Sequence, residues 1–167
     1  MKRIYVKEEV CIGCGLCQVF CQVEQSQSKD LIKAFKKEAP RPLPRVNVER
    51  NIEVSFPVQC RQCAEPWCVY SCITGAMHRD PVTGMVSVDM EKCVGCWTCM
   101  LACPYGALSR DLNSKTVIKC DLCPDREIPA CVINCPNEAL LYVESQTESP
   151  NVESQATVQF NENAHSI

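Results

Sequence analysis

Residues Cys93 to Pro104 read CVGCWTCMLACP, four cysteines at intervals of three, three and four residues. Three thiols on consecutive three-residue steps wrap one short loop around a cluster corner, and the fourth, followed by proline, lies beyond it. This is the spacing of bacterial-type [4Fe-4S] sites, in which the fourth cysteine ligates the other cluster of a pair. Cys11, Cys14, Cys17 and Cys21 repeat it. Cys60, Cys63, Cys68 and Cys72 open the middle gap to four residues; Cys120, Cys123, Cys131 and Cys135 open it to seven, with Pro136 next. All sixteen cysteines of the 167-residue chain fall into these quartets, so the sequence predicts four metal centres with iron held through cysteine.

Cysteine at nearly a tenth of the chain is otherwise the mark of a disulfide-stapled secreted protein. The opening MKRIYVKEEV has a Lys2-Arg3 pair but no apolar run behind it and no twin arginine, so neither a signal peptide nor an anchor is expected. The expected location is cytoplasmic, where thiols stay reduced and clustered thiols serve metal or redox chemistry. Nowhere do eighteen apolar residues run together, so no direct membrane insertion is expected. Zinc competes for thiolate quartets, but its signature is C-x2-C pairs a dozen or more residues apart. Consecutive three-residue steps favour iron.

The formal charge of −3 counts the thiols as neutral. Four oxidised clusters with their thiolates, at about −2 each, make the chain more negative, and a nucleic acid would be repelled. No Gly-rich phosphate loop or dinucleotide fingerprint is present, and nothing offers a substrate site. No residue is therefore assigned as catalytic, and the chain is not expected to be an enzyme on its own.

Gly13 and Gly95 each precede the second cysteine of a quartet, where a tight loop needs permissive dihedrals and N–H groups aimed at sulfur. Gln62 and Leu122 fill that position in the other two quartets. Ile12, Val94 and Leu101 are expected to shield inorganic sulfide from water, one of the levers on cluster potential.

Between quartets two and three, AMHRDPVTGMVSV reads as two short strands around a Pro81 to Gly84 turn, the hairpin of a two-cluster ferredoxin. The end segments RIYVKEE and ALLYVE read as the same hairpin with its turn cut open, which groups quartets one and four. GALSRDLNSKTVIKC has the same form. The predicted fold class is α+β: two ferredoxin-like two-cluster units with short helices and β-hairpins, one insertion and a polar C-terminal tail. The first unit comprises 1–21 and 109–143, the second 59–108.

The insertion, 22–58, should hold a helix started by Ser28 or Asp30, with Leu31, Ala34 and Phe35 as its apolar stripe, ended by Pro40, Pro42 and Pro44. VNVERNIEVSF should give a hairpin or two strand fragments about Arg50-Asn51. Lys29, Lys33, Lys36, Lys37, Arg41 and Arg45 form a positive run, either a solvated face or a dock for an acidic partner. The tail 144–167 is polar and aperiodic, disordered or partner-docking, with Val158 and Phe160 as candidate anchors. His78 and His165 are expected to be surface residues.

QCRQCAEPWC at the second quartet, KCVGCWTCMLACPYGA at the third and KCDLCPDREIPACVINCP at the fourth resemble the four-cluster iron-sulfur subunits of the dimethyl sulfoxide reductase type. Within that group the chain is most similar to the ferredoxin-like subunit of carbon monoxide dehydrogenase, over about residues 1–143. The resemblance implies cross-ligation: Cys11, Cys14 and Cys17 with Cys135; Cys120, Cys123 and Cys131 with Cys21; Cys60, Cys63 and Cys68 with Cys103; and Cys93, Cys96 and Cys99 with Cys72. Some relatives replace a third-quartet cysteine with tryptophan and hold a [3Fe-4S] centre; here Trp97 stands beside an intact Cys96, so four [4Fe-4S] clusters are expected. The implied partners are a catalytic oxidoreductase subunit, carbon monoxide dehydrogenase first, and an acceptor such as a hydrogenase or flavoprotein. A subunit of a molybdenum or tungsten oxidoreductase or hydrogenase, or a stand-alone polyferredoxin carrier, is the alternative.

Overall fold

A computed structural model describes residues 2–51 and 53–144. Little of it is regular. Five short helices and four two-stranded antiparallel sheets are held between cysteine loops. This is a small α+β framework compatible with a ferredoxin-like 4Fe-4S domain. The tail, with Val158, Phe160 and His165, lies outside the described residues.

The alternating end segments do pair. β1 (Lys2–Val6) runs antiparallel to β8 (Leu140–Glu144), with Lys2 opposite Glu144 and Val6 opposite Leu140. Ile4 and Leu140 point inward and are buried. β4 (Met77–Arg79) pairs with β5 (Val86–Val88) around the expected turn, whose Asp80 carboxylate accepts the N–H groups of Val82 and Thr83 at 2.8 and 2.7 Å. β6 (Ser109–Asp111) and β7 (Thr116–Ile118) form the third such pair.

In the insertion, β2 (Val46–Arg50) and β3 (Ser55–Gln59) form a true hairpin. Its second strand starts three residues later than the Ile52 that opens the apolar run, because Asn51 N–H bonds the Val54 carbonyl and closes the turn there. α2 (Leu31–Lys36) is capped by Asp30, whose side chain accepts the Lys33 N–H at 2.8 Å. Only part of the expected stripe is internal. Ala34 is fully buried, while Leu31 is exposed with Ile32.

The positive run is also smaller than its sequence. Lys29 and Arg126 share the carboxylate of Glu24, Arg45 pairs with Asp121, and Arg41 lies 5.6 Å over the Phe35 ring. Lys33 and Lys36 on α2, and Lys37 just past its end, stay exposed.

Two apolar clusters hold the framework together. One consists of Ile4, Val46, Leu122 and Leu140 with Cys17, Cys21, Cys120 and Cys131; the other of Met77, Val86, Leu108 and Val117 with Cys99. Half of the first cluster is thiol. In the second, Cys99 is the one buried thiol.

Candidate iron-sulfur sites

In every quartet the third and fourth cysteines are four residues apart: Cys17 and Cys21, Cys68 and Cys72, Cys99 and Cys103, Cys131 and Cys135. Each third cysteine lies on a helix: α1 (Leu16–Glu24), α3 (Trp67–Tyr70), α4 (Thr98–Ala102) and α5 (Ala130–Ile133). Four residues of helix advance the chain by about 6 Å. The fourth cysteine is therefore carried past the loop that holds its first three partners.

The structure gathers the thiols accordingly around four cavities. Cys11, Cys14 and Cys17 meet Cys135; Cys21 meets Cys120, Cys123 and Cys131; Cys60, Cys63 and Cys68 meet Cys103; Cys72 meets Cys93, Cys96 and Cys99. α1 packs on α5 and α3 on α4, so each packed pair exchanges its fourth cysteines. The cavities enclose about 350, 310, 410 and 350 Å³, mouths included, in that order.

The loop geometry expected at two glycines occurs in all four quartets. Gly13, Gln62, Gly95 and Leu122 have φ of 63, 48, 66 and 62°. Glycine is needed where a neighbour presses in. A Cβ on Gly13 would stand 2.5 Å from Ser55 Oγ, and one on Gly95 would collide with the Lys115 carbonyl oxygen. The β2–β3 and β6–β7 hairpins thus close over the loops of quartets one and three. If the expected four clusters are present, Gly95→Ala should cost the one expected at Cys93, Cys96 and Cys99, lowering iron by about a quarter. Gly106→Ala has similar φ, 59°, and open space around it, so only backbone strain of about 1–2 kcal/mol is expected there. Equal iron loss in both variants would assign the effect to strain alone.

Four facts bear on what these cavities can hold. Backbone N–H groups of Arg45, Met77 and Ala139 donate to the Sγ atoms of Cys21, Cys72 and Cys135 at 3.1, 3.3 and 3.2 Å, and Thr98 Oγ1 donates to Cys96 at 3.5 Å. Burial pushes the thiols of Cys17, Cys21 and Cys68 up to about 11 and that of Cys120 to about 12, and raises Cys131 further. At Cys72 burial is the largest single effect, but the bonds from Met77, Thr74 and Ala76 together outweigh it, and at Cys96 the Thr98 hydroxyl dominates; both thiols are lowered. Four thiolates in such surroundings need a multivalent cation to be stable together.

Third, the four thiols of each set come from two separate segments of the chain and face one shared cavity. Fourth, Gln59 is 4 % exposed, lines the cavity of Cys21, Cys120, Cys123 and Cys131, and neither of its amide atoms has a partner. A buried, unbonded amide beside thiols fits an occupant with sulfur acceptors. The residues fit an iron-sulfur cluster.

The expected shields are only partly in place. Ile12 and Val94 line cavities while keeping an exposed face, but Leu101, on the outer side of α4, is 89 % exposed and lines none of the four cysteine cavities. His78 is exposed and bonds Ser87 Oγ through Nε2 at 3.0 Å. Sequence reading missed Gln59. Its signal was the two-residue period of β3, in which Pro57 and Gln59 share the buried face.

Thiol-lined cavities in a small α+β framework of hairpins and one-turn helices define an iron-sulfur protein of the ferredoxin-like class. The family model for the 4Fe-4S dicluster domain matches residues 52–145. The chain is 37% identical over 150 residues to the electron transport protein HydN of Escherichia coli strain K12, covering 80% of this chain and 83% of that one. It therefore belongs to the 4Fe-4S dicluster family of ferredoxin-like electron-transfer proteins. A sulfite dehydrogenase subunit of Allochromatium vinosum is 34% identical over 154 residues, 80% of this chain and 64% of that one. Among solved structures, the active site complex BamBC of benzoyl coenzyme A reductase as isolated matches in fold, with a TM-score of 0.51 and 24% identity over 91% of this chain and 82% of that one. Such relatives are named as electron transport proteins or as subunits of oxidoreductases, not as catalysts themselves.

Proposed function

We propose that the chain is a four-cluster electron-transfer subunit, with the cross-ligated sets implied at its quartets: Cys11, Cys14, Cys17 and Cys135; Cys120, Cys123, Cys131 and Cys21; Cys60, Cys63, Cys68 and Cys103; Cys93, Cys96, Cys99 and Cys72. The observation that carries this reading is the gathering of four cysteines around each of four similar cavities. The clusters supply the one-electron chemistry. The chain's own residues fix their order: the α1–α5 pair with β1–β8 makes one unit from 1–21 and 109–143, and the α3–α4 pair with β4–β5 makes the other from 59–108. Cys14 and Cys96 are the exposed ligands and belong to different units, so each unit presents one outward-facing site.

The catalytic partner of this reading is an oxidoreductase, with carbon monoxide dehydrogenase first and a hydrogenase or flavoprotein as acceptor; the sequence resemblance at quartets two to four supports it. A second reading is a subunit of a different oxidoreductase, favoured by the likeness to a sulfite dehydrogenase subunit. Iron and acid-labile sulfide should each approach about sixteen per chain. Purified from its native source without oxygen, the protein should bring down one enzyme at fixed stoichiometry, identified by mass spectrometry. Stoichiometric zinc without broad visible absorption would overturn the cluster assignment, and purification alone with indifferent reduction by unrelated donors would make the chain a free carrier.

A further inference from the structure

Lys119 is a lysine where a folded chain rarely places one. It is 4 % exposed, on the same buried side of the chain as Val117 two residues before it. Its Nζ donates to the carbonyl of Val86 and, at 2.9 Å, to that of Cys120. Those carbonyls belong to different sites: Val86 lines the cavity of Cys60, Cys63, Cys68 and Cys103, and Cys120 lines that of Cys21, Cys123 and Cys131. Gln62, fully buried, ties the same two residues again, accepting the Val86 N–H at 2.8 Å and donating to the Cys120 carbonyl at 3.2 Å. Lys119 is thereby fixed between two cysteine cavities.

Two carbonyls satisfy hydrogen bonds but cannot neutralise an ammonium, and a buried charge is costly unless an opposite charge faces it. No described carboxylate pairs with Lys119. The two nearest along the adjoining groove are engaged elsewhere, Asp121 with Arg45, and Asp111 with the Asn113 N–H and the Ser114 hydroxyl. A cysteine cavity lies on either side of it; burial raises the thiols of Cys68 and Cys120, and the Lys119 charge acts against that rise at both. Among the described residues, no comparable cation is buried beside the cavities of Cys14 or Cys96.

We propose that Lys119 is an internal counter-cation shared by the two inner centres, raising their reduction potentials above those of the two outer ones. This rests on the four-cluster reading. An electron arriving at either inner site adds negative charge beside a fixed positive one, in a medium that screens it weakly. Gln62 acts as a positioning residue that holds the two carbonyls to which the ammonium is bonded.

The test is anaerobic redox potentiometry of the iron-loaded chain followed by paramagnetic resonance, with inner signals assigned by Cys63→Ser and Cys123→Ser. In Lys119→Met and Lys119→Gln, reduction of both inner centres should become at least tenfold less favourable, about 59 mV lower for one electron. The outer signals should stay put, and Lys119→Arg should keep the wild-type order. Full iron loading with unmoved inner potentials in either neutral variant overturns the proposal, leaving Lys119 a bridge between carbonyls. Should the neutral variants lose inner iron while Lys119→Arg loads fully, the charge is still what the site requires. If Lys119→Arg fails with them, position 119 supplies shape and the proposal falls. Failure of the four-cluster reading shows separately, as fewer than four centres in the wild type.

Discussion

Stripping the iron with a chelator under reducing conditions is expected to abolish cooperative thermal unfolding, not merely to lower the melting temperature. The apolar cluster that joins β1, β8 and α1 draws half of its buried members from Cys17, Cys21, Cys120 and Cys131. The other has only four non-cysteine members, Met77, Val86, Leu108 and Val117. Strands of three to five residues and helices of four to nine cannot hold themselves together in water. Binding free energy at a structural metal site is on the order of 10 kcal/mol and is folding free energy, comparable to the whole stability of an ordinary domain. Differential scanning calorimetry of the iron-free chain should show no sharp transition; a cooperative peak would place the stability in the hairpins instead.

Cys135→Ser is expected to alter the same paramagnetic signal as Cys17→Ser, although the two residues come from opposite ends of the chain. Cys135 lies beyond the end of α5, accepts the Ala139 N–H at 3.2 Å and shares a cavity with Cys11, Cys14 and Cys17. Cys131, one helical turn earlier, faces the cavity of Cys21. Cys131→Ser should therefore disturb a different signal. A Cys135→Ser spectrum that matches Cys131→Ser would show that each quartet keeps its own cluster.

The hairpins were legible because alternation over three to five residues is a strong signal when one face meets a core. β1 and β8 could be matched across the whole chain only because both flank cysteine quartets. The bounds of α3 and α5 were not legible: four residues are too few to show a period, and the turns of WCVY and ACVI are closed by backbone bonds from Ser71 to Trp67 and from Asn134 to Ala130. Leu101 misled because it sits between Cys99 and Cys103, while the helical turn there sends it outward. The ion pairs within the lysine and arginine run were not legible because their carboxylates, Glu24, Asp121 and Asp125, lie before it and far beyond it in sequence.

Gln59 and Lys119 share one reason for escaping notice. Each directly precedes a cysteine, Cys60 and Cys120, at the inward end of a strand, where a polar residue reads as the start of a loop. The period of β3 puts Gln59 inside, and that of β7, continued one residue past Ile118, puts Lys119 inside. What gives them a polar environment there is visible only once four loops from distant parts of the chain have been folded together.

The gradation of exposure among the cysteines also bears on survival in air. Cys14 and Cys96 stand in solvent while Cys120, Cys123 and Cys131 are buried. With clusters seated as proposed, dioxygen and peroxide reach the sites of Cys14 and Cys96 first, and the site of Cys21, Cys120, Cys123 and Cys131, all four buried, is the best protected by packing. Corrosion of such a chain proceeds from its extremities inward. A chain that has lost its outermost iron has lost its terminals: it becomes an insulated body, able to occupy a docking site without conducting.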